Sequence, residues 1–195
     1  GNVVFMDDLI IEAEKLAKEI LMERKHNFNE NKNIEIAKSV ASSSIRFNIL
    51  KVSPEKGFTF KWEDALSFDA DSAPFIMYSH ARSCSIKRKV KEMKFQQQKN
   101  DFDFSKIKFN NSLSKLLNCL MRYEDAVEKS INENKPNHFC NYMLELATSY
   151  NSFYRDCKII NENKVDEFFF EVSEYSRKIL KRGCNSLGLI PLESM

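Results

Sequence analysis

Only four glycines and four prolines punctuate the 195 residues of the chain. Glycine supplies left-handed backbone and proline a fixed φ, so a chain this poor in both lacks the closely spaced turns of a β-sandwich or barrel. Lys, Glu and Leu are plentiful instead, and these lose little freedom on entering a helix. The expectation is long helices joined by few turns.

A hydrophobic fraction of 43%, with 12% aromatic, is enough to bury a core. No run approaches the ~18 apolar residues that cross a bilayer, and the first residues lack the basic-then-apolar pattern of a signal peptide, so neither secretion nor a membrane role is expected. The 30 basic and 28 acidic residues leave a formal charge of +2, so net charge points to no polyanionic partner and only local arrangement can. Cys84, Cys119, Cys140, Cys157 and Cys184 are odd in number, widely spaced and without a C-x-x-C pair. They read as reduced thiols of a cytoplasmic protein.

Leu9, Ala13, Leu16, Ala17, Ile20 and Leu21 recur at helical steps over Met6 to Arg24, and Ile36, Val40, Ser44 and Phe47 do so over Ile34 to Leu50. Between Phe47 and Trp62 the stretch FNILKVSPEKGFTFKW brings β-branched and aromatic residues around a Pro-Glu-Lys-Gly turn, which predicts a short strand or hairpin. Asp69, Asp71, Ser72 and Pro74 make a helix start, and that helix should run to about Lys94. Phe95 to Ser112 is polar and aperiodic, an exposed loop. Further helices are expected over Ser112 to Asn132, Phe139 to Cys157 and Val165 to Leu187, with Pro136 as a boundary. The fold class is therefore mostly all-α, an antiparallel helical bundle preceded by helices and a short strand or hairpin.

Catalytic groups are hard to find. His26, His80 and His138 stand without partners at metal-ligand spacing, and Gly183 to Gly188 has the spacing of a phosphate loop but is followed by Leu189 where the lysine is needed. Paired acids at Asp69 and Asp71, and at Asp101 and Asp103, read as caps and loop solvation. No catalytic residue and no metal ligand is assigned.

Rings and cations carry the remaining signal. On a helix Phe75, Tyr78 and Arg82 fall within about 60° of one line, and Tyr150, Tyr154 and Lys158 succeed one another at four-residue steps. Two readings fit: a core stripe, or a surface on which unstacked RNA bases lie while cations hold phosphate. His80 lies about 140° round the helix from Phe75, which suits packing. The basic run Lys87, Arg88, Lys89, Lys91 and Lys94 reads as a solvated helix end.

Longer stretches carry a resemblance. ILKVSPEKGFTFKWEDALSFDADSAPFIMYSHARSCSIKRK resembles the junction between the catalytic core and the anticodon-binding domain of the arginyl-tRNA synthetase family. YMLELATSYNSFYRDCKII is similar to that family's helix with an asparagine-x-phenylalanine-tyrosine pattern, and SRKILKRGCNSLGLIPLESM to its terminal helix. The opening GNVVFMDDLIIEA resembles the segment directly after the family's KMSKS-like ATP-binding loop. The D-A-L-R signature stands here as Glu174, Tyr175, Ser176 and Arg177, with only the arginine kept. Arg177 also suits a helix-to-helix salt bridge.

The resemblance implies a division into residues 1–70, the tail of a catalytic region with a connecting segment, and 71–195, a helical anticodon-binding domain. It implies arginine tRNA as partner, through its anticodon loop and stem, and an upstream catalytic domain of the same polypeptide. Its contact positions fall on Phe75, Tyr78, Arg82, Tyr154, Lys158, where some relatives carry a large aromatic, and the terminal Met195. Asn151 is added as a polar group able to read a base edge. ATP with magnesium would serve the full-length enzyme, whereas this chain, without an H-x-G-H signature, is expected to need no cofactor and to catalyse nothing alone. A helical protein-interaction module using the same aromatic face and the loop Phe95 to Asn111 is the alternative.

Overall fold

A computed structural model of the chain describes residues 5–23, 29–69, 71–95, 107, 109–162 and 164–195. Eight helices and one two-stranded hairpin occupy these residues: α1 (Met6–Glu23), α2 (Glu30–Leu50), α3 (Trp62–Ala65), α4 (Ala73–Glu92), α5 (Asn111–Met121), α6 (Tyr123–Asn132), α7 (Pro136–Asp156), β1 (Ile160–Asn161), β2 (Lys164–Val165) and α8 (Glu167–Ser186). The helical bundle expected from the sequence is the fold. Among the described residues no helix is long and apolar enough to cross a membrane.

Helix starts follow the capping residues. The Ser72 hydroxyl accepts from Phe75 N at 3.2 Å, with Pro74 in the first turn, where no amide partner is lost. Asn29, Asn110 and Asp166 accept from Lys32, Leu113 and Phe169 in the same way. Pro136 is itself the first residue of α7, which accordingly begins a few residues before the expected Phe139.

The central helix is α7, which packs against α2, α4, α5, α6 and α8. It buries Phe139, Tyr142, Met143, Leu146, Ala147, Tyr150 and Phe153 at three- and four-residue steps. Where α7 meets α8, Gly183 lies so close to Met143 that a Cβ there would collide with its thioether. The second helix joins the same core through Ile36, Val40, Ala41, Ile45 and Phe47, and α1 packs on α2. Residues before 71 therefore share a continuous core with the helices after it.

Three expectations are corrected. FNILKVSPEKGFTFKW forms no strand: α2 runs on to Leu50 because Phe47 continues its buried face, and Ser53 to Lys56 close a turn by a 2.9 Å backbone bond. Phe58 to Phe60 then find no partner strand among the described residues; the Phe60 ring meets Trp62 edge-on at 4.8 Å instead. The hairpin among the described residues is at Ile160 to Val165, where Ile160 pairs with Val165 across a turn with Glu162 at φ 53°. Finally, the helix expected over Ser112 to Asn132 breaks at Arg122, whose amide turns back to Cys119 and Leu120. The polar stretch Phe95 to Ser112 lies mostly outside the described residues.

Candidate nucleic-acid interface

Tyr78 and Arg82 are one turn apart on α4, and Tyr154 comes from the last turn of α7. The Arg82 guanidinium sits 4.8 Å from the centre of the Tyr78 ring and 4.7 Å from that of Tyr154, a cation held between two ring faces. Each such contact contributes about 0.5–2 kcal/mol, more as water is excluded. Arg82 also donates to the Tyr78 hydroxyl at 3.3 Å and to Asn151 Oδ1 at 3.0 Å. Asn151 Nδ2 donates in turn to Ser79 Oγ at 2.9 Å, and Ser79 Oγ to the Phe75 carbonyl at 2.9 Å. The chain of bonds fixes the guanidinium in orientation. Two of its five N–H groups are spent on it.

Around this sandwich lies an open hollow of about 340 Å³, lined by Tyr78, Ala81, Arg82, Ser85 and Arg88 of α4, by Tyr154, and by Ser194 and Met195 of the chain end. Among the described residues that line it are two arginines and no acidic side chain. A second hollow of about 300 Å³ shares Tyr154 with the first and is otherwise lined by Ile86, Lys89, Cys157, Lys158, Ile159 and Ile160. Tyr154 lines both, so two rings, two arginines and two lysines border the two hollows together.

The sequence-predicted residues divide accordingly. Tyr78, Arg82, Tyr154 and Met195 meet at the first hollow and Lys158 at the second. Asn151 stands behind them, its amide committed at both ends to Arg82 and Ser79. Phe75 is half-buried against the core and lines neither hollow; its carbonyl ends the bond chain. Tyr150, considered with Tyr154, is a core residue: it is 0% exposed and bonds Ser173 through its hydroxyl at 2.9 Å. Ala81, Ser85 and Ser194 also line the first hollow and were not singled out, and Arg88, read as part of a solvated helix end, lines it as well. The periodicity that picked Tyr78 and Arg82 extends to 85, 88 and 89, so Ser85, Arg88 and Lys89 were within reach of it.

Arg177 takes its salt bridge within α8, from Glu174 one turn away at 2.8 Å, and the tie between helices is instead Lys87 of α4 to Glu174 at 3.7 Å. His80 is buried, as its place on the helix suggested, and its Nδ1 lies 2.9 Å from the Leu192 carbonyl. A carbonyl only accepts, so Nδ1 carries the proton and Nε2, 3.6 Å from Cys84 Sγ, can accept from the thiol.

Burial is the largest effect on the His80 pKa and lowers it from 6.5; Arg177 and Lys181 nearby lower it too, while the bond to Leu192 and Glu193 oppose them. With the folded value below the unfolded one, the unfolded chain takes up the proton first as pH falls. Stability is therefore expected to drop as pH goes below about 6.5 and to level off below the folded value. Thermal melts at pH 7.5 and 5.5 should show this drop, and His80→Leu should remove its share. The five cysteines are free and buried, with burial pushing Cys119, Cys140 and Cys184 up to about 12 and raising Cys84 and Cys157. Their thiols stay protonated and unreactive near neutrality.

A helical bundle that presents an aromatic and cationic depression has the makings of a nucleic-acid recognition domain, and the DALR anticodon binding domain family matches residues 76–195. The chain belongs to that family. Along its whole length it is 35% identical to the arginine–tRNA ligase of Archaeoglobus fulgidus, covering 35% of that protein, and over 97% of its length 32% identical to that of Thermococcus kodakarensis, covering 30%. Among solved structures the arginyl-tRNA synthetase of Thermus thermophilus superposes over 99% of the chain and 32% of its own, with a TM-score of 0.83 at 27% identity. The arginyl-tRNA synthetase of Plasmodium falciparum, at 22% identity and a TM-score of 0.80, shares the fold. The chain thus spans about a third of the relatives it matches.

Proposed function

We propose that this chain is the tRNA-recognition end of an arginine–tRNA ligase and binds the anticodon side of arginine tRNA through the depression around Tyr154. The observation that carries this reading is the Arg82 guanidinium clamped between the Tyr78 and Tyr154 rings at the edge of an open, basic hollow. Unstacked loop bases have flat faces that lie on such rings, at roughly 1–3 kcal/mol per base, while a fixed guanidinium and nearby lysines take phosphate or base edges. Met195 supplies an apolar wall, and Lys158 a cation in the second hollow. Asn151 acts by aiming Arg82, and Phe75 by anchoring the chain of bonds behind it.

Residues 71–195 serve as the recognition domain, and residues 1–70 connect it to the part of the protein that joins arginine to the tRNA end. ATP and magnesium belong to that part, which lies outside this chain, so the chain alone recognises and does not ligate. Its place of action is the cytoplasm, consistent with five free thiols.

Fluorescence anisotropy with a labelled arginine tRNA transcript tests the reading. Binding is expected to weaken steeply between about 50 and 200 mM salt, because cations on the protein compete with counterions on the RNA. A flat titration, or binding insensitive to salt as at an apolar protein interface, contradicts it.

A further inference from the structure

Beyond α8 the chain runs without regular structure from Leu187 to Met195 and is pinned to two other helices. Arg46 of α2 donates to the Gly188 carbonyl, and Ser43 of α2 accepts from Ile190 N at 3.1 Å. Gly188 has φ 67°, and a Cβ on it would press on the Arg46 side chain, so the strap starts at a place suited to glycine. On α4, His80 Nδ1 lies 2.9 Å from the Leu192 carbonyl and Arg88 donates to the Glu193 carbonyl at 2.8 Å. The strap ends at Met195, 8% exposed, in the wall of the hollow that holds Arg82.

The imidazole of His80 is fully buried, and the partners seen for it are the Leu192 carbonyl and the Cys84 thiol. A leucine could fill the same space without burying two polar nitrogens, so what the histidine adds is the bond to Leu192. From Leu192 to Met195 is three residues, at most ~10–11 Å of chain. Fixing residues 192 and 193 therefore confines the methionine to a small volume beside Tyr78 and Tyr154.

We infer that His80 is a positioning residue for RNA binding: by holding Leu192 it sets Met195 as the outer wall of the hollow, and Arg88 secures the same segment from the solvent side. His80 itself touches no RNA. Its effect on affinity rests on the RNA reading above; its effect on the seat of Met195 does not.

The test has two readouts in the full chain. Without RNA, the Met195 ε-methyl NMR signal, assigned by its loss in Met195→Leu, reports the seat through the ring currents of the two tyrosines. His80→Leu is expected to move that signal toward the position of a free methionine, and His80→Asn, whose amide N–H replaces Nδ1–H, to restore much of it. With labelled arginine tRNA, His80→Leu is expected to weaken binding about five- to tenfold, and the double variant with Met195→Ala to lose little more than either single one. An unmoved methyl signal in folded His80→Leu, or losses that simply add, overturns the inference. Should His80→Leu not fold, Arg88→Met, changed at an exposed side chain, must move the methyl signal, and its failure to do so is equally decisive. If the unmodified chain binds no RNA, the proposed function falls and the methyl signal alone decides the seat of the strap.

Discussion

Tyr154→Ala is expected to cost about 1–3 kcal/mol of affinity for arginine tRNA, some 5- to 150-fold, while the chain still folds. The ring lines both hollows, so its loss removes a flat face from each at once. It also takes away one side of the Arg82 clamp, 4.7 Å from its centre, and leaves the guanidinium held by Tyr78 and Asn151 alone. Binding should lose strength without losing its salt dependence, because no cation has been removed. Anisotropy titrations at two salt concentrations, beside a thermal melt of the same variant, measure both halves. A melt that collapses would place the ring in the core.

Four residues earlier on α7 the same substitution should do the opposite. Tyr150→Ala empties a fully buried site between α7 and α8 and strips Ser173 of its hydroxyl partner. Removing a buried aromatic costs about 3–5 kcal/mol, against a total of about 5–15 kcal/mol for a typical domain. Denaturant titration is expected to show a large fall in midpoint, with RNA affinity of the remaining folded fraction little changed. Tyr150→Phe, which keeps the ring and loses only the bond to Ser173, should cost about 1 kcal/mol.

These two tyrosines show what the sequence could and could not tell. Their spacing is the same four-residue step that made the stripe visible, yet the step is common to a core face and a binding face. The difference lies in α8, which covers Tyr150 through Ser173, whereas Tyr154 faces Arg82, Met195 and the hollow at the end of α7. Such pairings join residues far apart in the chain, as do Arg82 with Asn151 and His80 with Leu192. Periodicity on one helix cannot report them.

Local signals fared better. Ser72, Pro74 and Pro136 marked helix starts because capping and proline chemistry act within one turn. The hairpin was misplaced for the complementary reason. Phe58-Thr59-Phe60 has strand-forming residues but no partner strand among the described residues, while Ile160 and Val165 flank a turn short enough to pair them. Asn151 was chosen as a polar residue near the rings; its place behind Arg82 comes from packing of α4 on α7, which composition does not encode.

Ultraviolet crosslinking of the chain to an arginine tRNA transcript, with the adducted peptides mapped by mass spectrometry, tests the stacking of bases on these rings most directly. Adducts are expected on peptides containing Tyr78 and Tyr154, carried by nucleotides of the anticodon loop, and they should vanish when excess unlabelled transcript competes. Adducts confined to peptides remote from the hollows, or carried by nucleotides outside the anticodon arm, would contradict the account.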